Sequence, residues 1–235
     1  MKTLAAHDFN MGVVQAVLFT DPDGFSVAGV MKSFFPSVPI LDGDPQTIPD
    51  GGLGLPPEVP RVVLQAKSGR WRCQIAPARL DVFWNRVDGT DAALSGILSE
   101  AAQIVRDYRQ KLGVTAHRVA IVATRYSKHE DPGLFLAKHF CQDRWHTAPL
   151  NRPASFELHS HKSYDFKGFV VNSWFRAKTG QMTELGNSSK VVLAEQDLNT
   201  LPREGAMSDD EISAFFAVCP DELDHILALY FPEIS

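Results

Sequence analysis

The order of secondary-structure signals in this chain predicts an α+β protein built by internal duplication of a β-α-β-β-β-α unit. Residues 10–113 show a strand, a helix, three strands and a long helix, and residues 116–232 show the same order again. Consecutive strands separated by short turns favour antiparallel pairing, and amphipathic helices then cover one face of each sheet. We therefore expect two halves, 1–113 and 114–235, packed into one compact body with a cleft or saddle between them.

The first half begins with a β-branched strand, Val13–Phe19, which ends at the turn residues Asp-Pro-Asp-Gly. Apolar residues at helical spacing follow over 25–34. Residues 36–60 then hold seven prolines and four glycines, and we expect no regular element there. Such a stretch is either a functional loop or a solvated connector.

Three strands and a long helix complete the first half. In the helix, apolar residues recur every three or four positions from Leu94 to Leu112, and Gly113 suits the position that ends a helix. Alternation within the last of the three strands turns Trp84 towards the core. The three strands are expected at Arg61–Lys67, Trp71–Ile75 and Leu80–Arg86.

The second half repeats this order. Arg118–Tyr126 is almost wholly apolar, as expected of a buried central strand, and Pro132 is placed to open a short helix. Ser208 and Glu211 form a capping box, and Pro220 suits the first position of a last helix. The three intervening strands are expected at Ala154–Lys162, Lys167–Ala177 and Lys190–Gln196.

Composition excludes some classes of function. A net charge of −5 argues against binding of a nucleic-acid backbone, which needs a clustered Lys and Arg surface. Three widely spaced cysteines without a CxxC motif indicate reduced thiols. The N-terminus lacks the apolar stretch of a signal peptide, and no apolar run is long enough for a membrane span. These features predict a cytoplasmic protein without a membrane partner.

Several features spread over nearly the whole chain occur together. They are the strand Val13–Phe19, the loop ending in Pro56-Pro57-Glu58-Val59-Pro60, the strand Leu80–Trp84, the Arg-Tyr pair that ends Val119–Tyr126, the segment Asp197-Leu198-Asn199-Thr200, and His225 with Tyr230-Phe231. This combination resembles a sporadically distributed, largely uncharacterised family of bacterial proteins of about this length. The resemblance implies a cytosolic bacterial protein from a mobile-element or defence-type gene neighbourhood, and it assigns no catalytic residue.

One candidate metal site comes from the strand that contains Glu157, His159 and His161. These three residues alternate along the strand and therefore point to the same face. Two histidines and a carboxylate suit a divalent first-row metal. His139, Cys141 and His146 precede the strand and could add a ligand. The alternative is the ordinary polar side of a half-exposed strand.

A second metal hypothesis is a degenerate nuclease pattern. Fourteen residues separate Asp50 from Gln65, and Lys67 follows at the spacing of a lysine that polarises water beside Mg²⁺. The glutamine leaves only one anionic ligand, and Mg²⁺ prefers more. The glycines at 51–54 neither follow a strand nor open a helix, so they do not form a phosphate-binding loop. Cys73 is either an activated thiol or an ordinary buried cysteine.

Two tryptophans that neighbour arginines form the candidate partner-binding set. Trp71 with Arg72, and Trp174 with Arg176, have the composition of interface anchors. The alternative is packing at the edge of a sheet. Because no catalytic constellation or cofactor motif is present, the sequence favours a non-enzymatic binding or accessory subunit that acts on a protein partner or as a homo-oligomer. A small-molecule sensor with its ligand between the halves, and a metal-dependent hydrolase or nuclease, are the alternatives.

Overall fold

A computed structural model describes residues 3–49, 54–87, 89, 92–141, 147–148, 153–184 and 186–233. The described residues form an α+β protein with four α-helices and one nine-stranded antiparallel sheet. The strands are β1 Asn10–Thr20, β2 Gln46–Thr47, β3 Val62–Gln65, β4 Trp71–Ala76, β5 Arg79–Asn85, β6 Ala116–Lys128, β7 Glu157–Phe166, β8 Phe169–Glu184 and β9 Asn187–Thr200. The helices are α1 Val27–Gly29, α2 Leu94–Leu112, α3 Pro132–Phe140 and α4 Asp209–Tyr230.

The two halves join edge to edge through β1 and β6, two long strands that are both rich in apolar residues. Val14 lies opposite Ala123 and Leu18 opposite Val119 in this antiparallel pair. The strand order is β2-β3-β4-β5-β1-β6-β9-β8-β7, so β3-β4-β5-β1 on one side corresponds to β7-β8-β9-β6 on the other. The sequence left open whether two sheets would meet edge to edge or face to face; the structure has a single continuous sheet.

All four helices pack on one face of this sheet, as the sequence predicts. The buried stripe of α2 meets the inward residues of β1 and β5, and α4 packs beside α2. A second cluster at the far end joins α3 to the inward residues of β8 and β9. The other face is left without a covering helix among the described residues, and we call it the open face.

The helix ends agree with the capping signals, with one correction. Gly113 ends α2 with φ +67°, a conformation that glycine adopts without strain. Ser208 and Glu211 form the expected capping box of α4. The prediction that Pro220 begins a new helix is wrong, because α4 runs through it without a break. Proline removes one helical hydrogen bond, and the burial of Phe216, Pro220 and Leu223 on this stretch compensates for that loss.

Two further differences come from contacts distant in sequence. The Pro-rich loop contains a short strand, β2, which pairs Thr47 with Val62. Residues 30–37 continue α1 as a π-helical turn, Val30–Phe34, and a 3₁₀ turn, Phe35–Ser37, rather than as a regular α-helix. Among the described residues, no helix combines the length and the apolar character needed to cross a membrane.

Candidate functional site

The candidate site lies on the open face of the last three strands, where the side chains form a regular array. Antiparallel register places β7, β8 and β9 residues side by side in rows. From one end to the other, the rows are Asp165–Val170, Ser163–Asn172–Asn199, His161–Trp174–Asp197, His159–Arg176–Glu195 and Glu157–Lys178. The candidate metal trio and the Trp174–Arg176 pair, which the sequence treats as separate sites, are therefore one surface.

Trp174 stands at the centre of this surface with 45% of its area exposed. The His161 ring stacks on the indole, with centroids 4.1 Å apart and planes inclined by 21°. Stacking on a neighbour in the next strand fixes the orientation of a large side chain that would otherwise be free to move. The indole therefore has a defined neighbour on one side and a large area exposed to solvent on the other.

Other exposed apolar side chains lie on the same face as Trp174, beyond the row that contains Asn172. Val170 is four residues before Trp174 on β8 and is 48% exposed, while Leu201 is 39% exposed. The N–H of Leu201 donates to the carbonyl of Val170 at 3.0 Å, so the two residues are neighbours across the end of the β8–β9 ladder. We call Val170, Asn172, Trp174, Asn199 and Leu201 the Trp174 surface. Exposed apolar groups that cluster on one face and are bordered by polar residues mark interaction sites more often than single ones do.

Ion pairs order the opposite end of the array. Arg176 Nη1 donates to Glu195 Oε1 at 3.0 Å, and Arg176 Nε lies 3.4 Å from Glu157 Oε1. His159 Nε2 lies 2.8 Å from the same Glu157 oxygen, and Lys178 Nζ lies 3.5 Å from Glu195 Oε2. Exposed pairs contribute little stability each. Their effect here is to hold Arg176 in a single position beside Trp174.

A depression of about 250 Å³ lies between Trp174 and β9, lined by His159, Arg176, Glu195 and Asp197. Burial raises the pKa of Asp197, and the repulsion of Glu195 acts in the same direction. A hydrogen bond from Asn199 Nδ2, 2.8 Å long, and the charge of Arg118 oppose that rise in pKa. Two carboxylates, one guanidinium and the His159 ring line the depression, so it presents groups of both charges.

The predicted metal ligands do share one face, but their side chains have other partners. His161 stacks on Trp174, while His159 pairs with Glu157. Within the described residues, no group of three or more His, Cys, Asp and Glu side chains is arranged to hold a metal ion. Of the additional candidates, the His139 ring nitrogen bonds the carbonyl of Tyr230 at 2.7 Å, Cys141 is half-buried and His146 lies outside the described residues. Metal binding at this strand stays a prediction.

The nuclease pattern and the reactive-thiol hypothesis can be placed only in part. Asp50 lies outside the described residues. Gln65 ends β3 as an exposed residue, and the backbone N–H of Lys67 donates to Asp42 Oδ1 at 2.8 Å. Cys73 is fully buried on the covered face, where desolvation raises its pKa far above the ordinary thiol value, with a smaller contribution from Asp81. Its thiol is therefore an inert core group rather than a nucleophile.

The first tryptophan–arginine pair is divided between the two faces of the sheet. Trp71 is only 3% exposed and lies in the core opposite Trp84. It is therefore no surface anchor, because alternation along β4 turns it inward together with Cys73 and Ile75. Arg72 points to the open face, where its guanidinium lies 4.5 Å from the centroid of the Phe83 ring. Only the second pair, Trp174 with Arg176, forms the expected exposed combination.

A second depression lies on the helical side, at the boundary between the two halves. It has a volume of about 430 Å³ and is formed by α2 and α4. Arg106 bridges it with two long hydrogen bonds, one to Gln103 Oε1 at 3.4 Å and one to Ser213 Oγ at 3.3 Å. The remaining lining is mostly small or hydroxylated, as in Ser95 and Ala217.

Val170 and Leu201 belong to the Trp174 surface but are not among the candidate residues that the sequence analysis identified. For Val170, the alternation of β8 provides a signal, since Val171, Ser173 and Phe175 are buried and Val170, Asn172 and Trp174 alternate with them.

Comparison with models of known protein families and with curated protein sequences gave no match for this chain.

Proposed function

We propose that this protein is a non-enzymatic binding module that docks a protein partner on the Trp174 surface. The observation that carries the proposal is the exposure of Trp174, which stacks on His161 on a sheet face that no described helix covers and which shares that face with the exposed Val170 and Leu201. Tryptophan and arginine are the residues most enriched at the energetic centres of protein interfaces. Here Arg176 is fixed beside the indole by Glu195 and Glu157.

The balance of charge on this face favours a protein over a nucleic acid. Arg176 and Lys178 are both engaged with Glu195, and Arg118 donates to Asn199 at 2.8 Å. Binding of a phosphate backbone needs unpaired cations in a row. An interface between proteins instead combines an apolar centre with a rim of satisfied polar groups, which is the arrangement of the Trp174 surface and its ion pairs.

The family resemblance supports placing such a module in the cytoplasm, as an accessory subunit of a bacterial mobile-element or defence system. The mirrored strand order supports a duplicated β-α-β-β-β-α unit, in which β1 and β6 are corresponding strands. In that interpretation, the open face of the second half has been specialised for binding. The corresponding region of the first half carries Arg72 stacked on Phe83.

The proposal is tested by replacing the anchor and a matched control. Trp174→Ala removes the exposed indole, whereas Leu229→Ala removes an apolar side chain that is 61% exposed on α4. Affinity enrichment from the native host, followed by cross-linking mass spectrometry, identifies a partner and maps its contacts. We expect a partner cross-linked to β8 that is lost with Trp174→Ala and retained with Leu229→Ala. Equal recovery with both variants, or cross-links confined to the helical side, would contradict the proposal.

A second candidate function is sensing of a small molecule in the depression between α2 and α4. The specific observation is Arg106, whose two long hydrogen bonds leave it able to bind an anionic group. A ligand that binds only the folded state raises the melting temperature. A thermal-shift screen of small anionic metabolites should give a rise in wild-type protein that disappears in Arg106→Ala but persists in Gln110→Ala. An equal rise in all three proteins would exclude this site.

A further inference from the structure

The two edges of the nine-stranded sheet are unlike. One edge is β2, which has only two residues and lies between Pro45 and Pro49. The other edge is β7, which has ten residues, no proline and an uninterrupted register with β8 from Glu157 to Phe166. Natural proteins blunt their edge strands with short length, proline, bulges or charged side chains because an open edge recruits further strands. The β2 edge is short and lies between prolines, whereas β7 carries only charges, with Glu157 and Asp165 on one face and Lys162 on the other, which a strand of complementary charge can pair with.

The backbone groups that β7 presents at this free edge can be identified from the ladder with β8. The N–H of Thr179 donates to the carbonyl of Phe156 at 3.2 Å. In an antiparallel ladder the residues that exchange bonds with the neighbour alternate with residues whose groups point away. The even-numbered residues therefore face β8, and the outward N–H and C=O groups belong to Glu157, His159, His161, Ser163 and Asp165. Among the described strands, β8 alone pairs with β7.

The side chains of β7 define what a complementary strand would carry. On the open face they are Glu157, His159, His161, Ser163 and Asp165, with a carboxylate at each end. On the covered face they are Leu158, Ser160, Lys162, Tyr164 and Phe166, which are mostly apolar with a single cation. A matching strand has basic residues opposite the two carboxylates, apolar residues on its other side, and an acid opposite the lysine.

A second copy of this chain does not meet these requirements. When two identical strands pair antiparallel about a two-fold axis perpendicular to the sheet, opposite residues point to the same face. Glu157 and Asp165 point to the open face and Lys162 points to the covered face. The carboxylates of one copy thus never lie opposite the lysine of the other, whatever the register. The charge pattern of β7 favours a different polypeptide.

We propose that β7 is a docking strand to which an extended segment of the partner adds as a tenth strand, basic on its open-face side and apolar with one acidic residue on the other. This inference rests on the proposed function, since it names how the protein partner engages the array beside the Trp174 surface. Main-chain hydrogen bonds supply the affinity in this mode of recognition, and alternate side chains supply the specificity.

The test uses a synthetic nine-residue peptide designed to pair antiparallel with 157–165. It carries lysine opposite Glu157 and Asp165, glutamate opposite Lys162, valine at the other covered-face positions and threonine elsewhere. Hydrogen exchange followed by NMR should show slower exchange at the outward amides of β7. The same peptide, N-methylated on the amides that face β7, should give no protection. Absence of protection at about 1 mM peptide, a concentration that detects even very weak binding, or protection confined to other strands, overturns the proposal.

A pair of variants isolates the backbone contribution. Ser163→Pro removes an outward N–H that β8 does not use, whereas Ser163→Ala removes the same hydroxyl and keeps the N–H. Loss of one partner of a hydrogen bond predicts about tenfold weaker peptide binding for Ser163→Pro than for Ser163→Ala. Equal affinities would refute strand addition. If Ser163→Pro does not fold, the N-methylated peptide decides.

The outcomes for the two proposals remain separable. Loss of the native partner with Trp174→Ala but not with Ser163→Pro would leave the Trp174 surface as the binding site and reject strand addition. Retention of that partner with both variants would reject the proposed function itself.

Discussion

Trp71 and Trp174 both have an arginine close by in the sequence, yet their replacement by alanine should reduce stability by different amounts. A tryptophan side chain buries roughly 200 Å², which at about 25 cal/mol per Å² amounts to about 5 kcal/mol of stabilisation. Trp71 is 3% exposed and realises nearly all of this. This area estimate is an upper bound because the unfolded chain already buries part of the same surface, while the cavity left beside Trp84 acts in the other direction. We expect Trp71→Ala to lower the free energy of unfolding by about 3–5 kcal/mol, the range measured for buried aromatic residues.

Trp174 keeps 45% of its area in water, so the same estimate gives roughly half the loss for Trp174→Ala. Water fills the vacated space, and no cavity remains. The two variants should therefore differ by about 2 kcal/mol, and the melting temperature of Trp71→Ala should lie about 4–8 °C below that of Trp174→Ala for a chain of this size.

Urea denaturation followed by circular dichroism measures both losses, provided that the dependence of the unfolding free energy on urea concentration is unchanged. The conservative variant Trp71→Phe serves as a control and should recover most of the loss caused by Trp71→Ala. An equal loss in Trp71→Ala and Trp174→Ala would refute the reasoning. It would mean that the Trp174 indole is buried in solution, for example by self-association through the open face.

The remaining predictions concern local structure. Gly96→Ala should raise the melting temperature by a few degrees, because an added methyl group meets open space on α2 and alanine is favoured over glycine by about 1 kcal/mol in a helix. Gly133→Ala should lower it, since the methyl group would lie 2.4 Å from a backbone carbonyl oxygen; equal shifts would contradict the packing of α3. Hydrogen bonds from Arg203 and then from Ser208 lower the pKa of Glu211 to about 2 from its ordinary 4.5. The stabilisation from the ionised Glu211 carboxylate is therefore complete above pH 4.5, the ordinary pKa, and is lost as the pH falls through about 2. The difference in melting temperature between wild type and Glu211→Gln should disappear near pH 2 and should shrink in high salt. A difference that does not change with pH would contradict the capping role of Glu211.

The elements that were predictable are those in which local pattern and tertiary burial agree. The stripe from Leu94 to Tyr108 is buried in the structure along its whole length, because a period of 3.6 residues fits only one kind of element. In the same way, the two-residue period of a strand placed Glu157, His159 and His161 on one face. In both cases the spacing of residues along the chain predicts which face the side chains lie on, and contacts with distant residues agree with that prediction.

The elements that were missed depend on partners far away in the sequence. β2 is two residues long and exists because Thr47 pairs with Val62 across the Pro-rich loop. Pro220 reads locally as a helix start, yet α4 continues through it because its neighbours are buried against the sheet and α2. Interpretation of Trp71 as an anchor relied on its neighbour Arg72, whereas its alternation with Cys73 and Ile75 already indicated an inward side chain. The neighbours of a residue in the sequence do not show which face its side chain lies on, whereas the two-residue period of a strand does.

The unequal edges of the sheet limit how this protein can assemble. A sheet with two open edges can gain strands on both sides, and repeated head-to-tail addition of molecules then produces a filament. Because β2 has only two residues and β7 has ten, the proposed mode of docking lets each molecule accept a strand at one side only. Such a unit terminates a growing sheet instead of propagating it, so association through this edge stops at a single, finite complex.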